Sequence, residues 1–185
     1  MPTATQQKHV NAFFADLALH PFGIGLEPVY RELMEYLAGL GYFPYKQRSY
    51  LVFKHDRHGK QMAKMGFKIY KDKPPFFALR FSACRGYSKR FEEIVRNAVS
   101  KENHPRASCL NGSCGYCGGE PDTHVYVYVS PGGAAGTHCG AQALEIPDIS
   151  AGDVGEIKTL ILEEHVYLML HQAGVSEEET RNSTK

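Results

Sequence analysis

The chain has 185 residues, 43% hydrophobic and 22% charged, a balance that suits one sizeable folded core and excludes wholesale disorder. No run approaches the roughly 18 apolar residues a membrane-spanning helix requires, and the opening Met1-Pro2-Thr3-Ala4 lacks the basic start and apolar run of a secretory signal, so the expectation is a cytoplasmic protein with no membrane partner. The net charge of +1 conceals a segregation, because residues 46–106 carry 16 Lys plus Arg against 5 Asp plus Glu, whereas residues 107–185 carry 3 against 11.

The first elements are helical. Val10, Phe13, Phe14, Leu17 and Leu19 recur at near-helical spacing over residues 6–20, and Pro21 stops the run. Over 27–40 the apolar positions Val29, Leu33, Met34, Tyr36, Leu37 and Leu40 recur at three and four, closed by Gly39 and Gly41. Three strands are expected next. Residues 50–55 are rich in β-formers, and Asp56-Arg57-His58-Gly59 is a turn signal. Residues 61–71 alternate, with Ala63, Met65, Phe67 and Ile69 opposite Lys64, Lys68 and Tyr70. After Lys73-Pro74-Pro75, Phe77, Leu79, Phe81 and Ala83 alternate with Ala78, Arg80, Ser82 and Cys84. Short turns between neighbours predict an antiparallel meander with one buried face.

A third helix over 88–101 brings Phe91, Ile94, Val95 and Ala98 onto that sheet. A cysteine- and glycine-rich loop follows. Residues 124–130 form a strand with Val125, Val127 and Val129 on one face and His124, Tyr126 and Tyr128 on the other; Pro131-Gly132-Gly133 turns it, and residues 137–146 return as its partner. A long helix over 153–173 carries Val154, Ile157, Leu160, Ile161, Val166, Leu168 and Leu170. This order specifies an α+β fold: an antiparallel β-meander covered by helices, a zinc-clamped loop and hairpin, and a long C-terminal helix. One domain spans 1–175, with a zinc-binding insert at about 104–146 and a polar tail over 176–185.

The chemistry concentrates in Cys109-Leu-Asn-Gly-Ser-Cys114-Gly-Tyr-Cys117-Gly-Gly and, after the hairpin, His138-Cys139-Gly140. A reducing compartment and an odd count of five cysteines favour metal ligation over disulfides. Two thiolates separated by two residues reach one ion when the backbone between them turns sharply, and Gly115, Gly118 and Gly119 permit that turn. The ligand set is Cys109, Cys114, Cys117 and Cys139 on one zinc ion, with His138 or His124 as the alternate fourth ligand if Cys109 is free. Four thiolates leave no open position for water, which makes the zinc structural; an iron centre at the same four cysteines stays open. Cys84, alone on its strand, is expected to be a small buried residue.

Taken alone, Cys114-Gly-Tyr-Cys117 resembles the active-site pair of thioredoxin-like disulfide isomerases, which implies thiol redox chemistry. In that family the pair begins a helix, whereas here Gly118-Gly119-Glu120-Pro121 follows it. Neither a Gly-x-Ser-x-Gly elbow nor a phosphate-binding glycine loop occurs. The nine histidines are scattered, with His55 and His58 flanking a turn beside Arg57 and Lys60 and expected to face solvent. Tyr126, Tyr128 and Arg80 are the candidate ligand-binding residues: tyrosine gives a pocket wall an apolar body with a hydrogen-bonding tip. Lys64, Lys68, Tyr70 and Arg80, if they share one sheet face, form the elements of a platform for single-stranded nucleic acid, or else an ordinary solvent face. The expected function is a zinc-stabilised module that binds a small molecule or a protein partner. The alternatives are a nucleic-acid binder using the basic 46–106 segment and a zinc- or thiol-dependent enzyme.

Overall fold

The computed structural model describes residues 2–23, 25–68, 73–100 and 124–182. Two helices open the chain, α1 (Ala4–Ala18) and α2 (Glu27–Gly39). Thr3 and Gln6 cap the first reciprocally: the Gln6 N–H donates to Thr3 Oγ1 at 3.2 Å and the Thr3 N–H to Gln6 Oε1 at 2.8 Å. Pro28 sits in the first turn of α2, where its missing N–H costs no helical hydrogen bond. Gly41 ends that helix with φ 88°, and a Cβ there would stand 3.0 Å from His55 Nε2. The glycine therefore serves both the left-handed turn and the close approach of the histidine ring.

The sheet has five antiparallel strands in the order β1 (Tyr42–Gln47), β2 (Tyr50–His55), β3 (Gln61–Gly66), β4 (Phe76–Leu79) and β7 (Leu144–Ile146). The expected three-strand meander is its centre, and two strands were not anticipated. β1 contains Pro44, which cannot donate to a ladder, and the strand lies at the sheet edge where that loss is tolerated. The segment expected to return wholly beside β5 (Val125–Val129) divides: β6 (Ala135–Cys139) pairs with β5 in a separate two-stranded sheet, and β7 crosses to β4. Cys139 is followed by a turn in which the Gln142 N–H donates to the Cys139 carbonyl at 3.1 Å, and this bend redirects the chain.

Register fixes which side chains face the helices. Tyr42, Leu51, Phe53, His55, Ala63, Met65, Phe77, Leu79, Leu144 and Ile146 fall on one face, and all are buried. Phe13 of α1 meets Phe67 just beyond β3, Tyr30 of α2 meets Phe77, and His165 of the last helix, α4 (Val154–Asn182), reaches Tyr42. These helices therefore cover the inner face. Helix α3 (Lys89–Ser100) lies instead against β5, β6 and β7, with Phe91 edge-on to Phe81. The main chain of α4 runs past Ala173, the expected end, to Asn182. Among the described residues no helix is long and apolar enough to cross a membrane.

Candidate functional site

β5 and β6 are held in register so that Val125 pairs with Cys139 and Tyr126 with His138. Cys139 thus lies opposite the first residue of β5, where the chain arrives from the segment carrying Cys109, Cys114 and Cys117. Those three cysteines lie outside the described residues. Cys139 and His138 are both buried. Among the described residues alone, no three His, Cys, Asp or Glu side chains are grouped to hold a metal ion.

Beside this hairpin the strip following β4 carries a polar network. His124 Nδ1 stands 2.7 Å from the Ser82 carbonyl oxygen. A carbonyl only accepts, so Nδ1 bears the proton and Nε2 is the basic nitrogen. Ser82 Oγ donates to the Gly140 carbonyl at 3.0 Å, and a Cβ at position 140 would run into the His124 carbonyl. Beneath lies Glu164, fully buried on α4. It accepts from Arg80 Nε at 2.6 Å and from the Ala83 N–H at 2.7 Å, and Ser82 Oγ lies 3.5 Å from it. A buried carboxylate is tolerable only when so paired.

The three candidate ligand-binding residues separate. Arg80 turns inward at 2% exposure to meet Glu164, so it does not share an outward face with Lys64. Its partner on α4 overrides the strand alternation, since an unpaired guanidinium would not be buried. Tyr126 is buried, accepting from the Phe81 N–H at 3.0 Å and donating to the Gln142 carbonyl at 2.9 Å; burial raises its pKa well above the usual phenol value. Tyr128, on the same side of β5, lies half-buried over a shallow depression formed with Lys89, Glu92, Glu93 and Arg96 of α3. The tyrosine side of β5 faces inward, and Val127 and Val129 are exposed. A cleft of about 430 Å³ opens over this region, lined among others by Ser82, Arg85, Tyr87, His124 and Tyr126. Cys84 borders it but is buried, its thiol directed at the Leu160 carbonyl at 3.2 Å, and burial raises its pKa.

A second cluster was not anticipated. His55 is buried and His58 half-buried: the turn folds their rings into a parallel stack at 4.1 Å, against Tyr42 and beside His165. Tyr42 Oη and His165 Nδ1 are 3.2 Å apart. The backbone N–H groups of Arg57 and Lys60 donate to Nδ1 of His55 and His58 respectively. With Nδ1 accepting, the neutral His58 ring carries its proton on Nε2, and His55 Nδ1 also stands 3.3 Å from Asp56 Oδ1. The Nε2 of His58 is buried without a partner. Burial, then the charges His55, Lys60, His165 and Arg80 would bear, lower the His58 pKa to about 4; burial and His55 lower that of His165.

No protein-family model, curated protein or solved structure matches the chain.

Proposed function

We propose that this chain is a zinc-stabilised binding module, with a structural zinc on Cys109, Cys114, Cys117 and Cys139 and a small polar ligand in the cleft above Ser82 and Tyr126. The observation that carries the reading is the Val125–Cys139 register, which puts the fourth cysteine at the foot of the segment bearing the other three. Seven residues lie between Cys117 and Val125, a short tether back to Cys139. Donor chemistry agrees, since thiolates suit zinc and a closed four-sulfur site needs no water. If Cys109 is free, His124 is the better alternate: a zinc-binding histidine characteristically donates its other ring N–H to a carbonyl, as its Nδ1 does to Ser82. Zinc would then brace the wall of the cleft, where His124 sits.

For the ligand, the cleft offers Arg85 as an exposed cation, Ser82 and Tyr87 as polar groups and Tyr126 as an aromatic floor. Arg80 lies behind the cleft, holding the Glu164 carboxylate that also accepts from the Ala83 N–H, and Tyr128 lies apart from it over the depression beside α3.

The test is elemental analysis of the purified protein with zinc-edge absorption spectroscopy. One zinc per chain with four sulfur neighbours is expected, lost in Cys139→Ser; absence of metal would overturn the reading. Ligand binding is then read from thermal shifts of the zinc-loaded protein across small polar compounds. Hits should disappear in Arg85→Trp, which fills the cleft, and hits that survive it would place the ligand elsewhere.

A further inference from the structure

The outer face of the five-stranded sheet is built differently from the inner one. Register places Phe43, Tyr45, Tyr50, Val52, Lys54, Lys64, Phe76, Ala78 and Glu145 there. One row crosses Tyr45, Val52, Lys64 and Ala78, and Lys64 is half-buried because its aliphatic stem lies between Val52 and Ala78, both buried. In the next row Tyr50, Gly66 and Phe76 are aligned, and the glycine is a slot: a Cβ on it would collide with Tyr50 Cβ and stand 3.1 Å from Phe76 Cε1. The Tyr50 and Phe76 rings thereby meet across it at 6.0 Å. Among the described residues, the ring and ion-pair contacts of Tyr50, Lys64, Phe76 and Glu145 stay within this face and its flanking loop.

Aromatic rings left on a sheet surface beside cations are what a single strand of nucleic acid requires, because each base has a face to stack and each step carries a phosphate. Tyr45 is 46% exposed and Phe76 partly exposed. Tyr45 and Tyr50 stand on adjacent strands one row apart, a diagonal of about 7–8 Å. The cations are close by: Lys54 is exposed on this face, Lys64 Nζ stands 5.8 Å from the Tyr50 ring centroid, and Arg48 is exposed where β1 turns into β2. We propose that this face binds single-stranded nucleic acid, with bases stacked on Tyr45 and on the Tyr50–Phe76 pair and phosphates held by Arg48, Lys54 and Lys64. The proposal is independent of the zinc site and of the cleft.

The experiment is fluorescence anisotropy of the intact purified protein with a labelled 15-nucleotide single strand, its duplex, and heparin as competitor. Single strands, DNA or RNA, should bind and duplex should not. The logarithm of affinity should fall with that of salt at a slope of about −2 if three phosphates are neutralised. Tyr45→Ala should weaken binding about tenfold, from loss of one stacked base, and Lys54→Glu should both weaken binding and flatten the salt slope. Both positions are exposed, so circular dichroism should not change. Equal binding of duplex and single strand, or full affinity in Tyr45→Ala, would reduce the face to general polyanion attraction and overturn the proposal, as would no binding at low salt.

Discussion

Replacing Glu164 by alanine probes the centre of the molecule. The carboxylate is fully buried and accepts from Arg80 Nε at 2.6 Å and the Ala83 N–H at 2.7 Å, with the Arg80 side chain itself 3% exposed. Removing one member of a buried pair strands the other charge in a poor solvent, which costs about 3–5 kcal/mol. Because a domain of this size has only about 5–15 kcal/mol to lose, the melting temperature should drop by about 10–15 °C. Urea unfolding followed by circular dichroism measures the loss directly. Glu164→Gln should lie between, because it keeps acceptors but not the charge. The double variant Arg80→Met/Glu164→Leu should recover much of the stability, since two apolar groups leave no buried charge behind. A loss under about 1 kcal/mol in Glu164→Ala would mean that water reaches the pair, and the account of Arg80 as an inward-facing residue would be wrong.

Two further outcomes follow from the same geometry. His58 is neutral in the folded protein down to about pH 4 but titrates at its ordinary 6.5 when unfolded, so between those values the unfolded chain binds more protons. The contribution of His58 should be constant above about pH 7, be lost as pH falls from 6.5 to 4 and change no further below. Because the ring is partly exposed, solvent screening limits the loss to about 1–2 kcal/mol. His165 shifts in the same direction, so His58→Asn should shrink the slope without abolishing it, and an unchanged slope would refute the assignment. Gly140→Ala should push the hairpin off the strip at Ser82 and cost about 1–3 kcal/mol, measured by thermal melts; a neutral effect would show that His124 yields without strain.

The helices were legible because their apolar spacing is regular, and the inner sheet face because Phe77, Leu79, Ala63 and Met65 alternate cleanly. What escaped has physical causes. Pro44 disguised an edge strand, and the three residues of β7 are too few to show a period. Glu164 had a visible signal: it follows Ile157, Leu160 and Ile161 on the apolar stripe of α4, and a carboxylate on a buried stripe demands a cation. Arg80 supplied it from 84 residues away, a pairing no local pattern reveals. The histidine stack likewise depends on α4 folding back to bring His165 to Tyr42. Cys139 was recognisable from composition, but its position opposite Val125 is a matter of register and is visible only in the folded hairpin.

The late arrival of β7 bears on how the chain is made. β4 is complete at Leu79, yet its second neighbour begins only at Leu144. While the intervening residues are being synthesised, β4 presents an unpaired row of backbone donors and acceptors carrying Phe77 and Leu79, the kind of edge that recruits strands from other chains. Only three residues close it, Leu144, Glu145 and Ile146, and the middle one is charged and tied to Lys68 at 2.6 Å. Truncation before residue 144 should therefore favour aggregation over a smaller folded unit, and the docking of β7 is the step at which the sheet becomes safe.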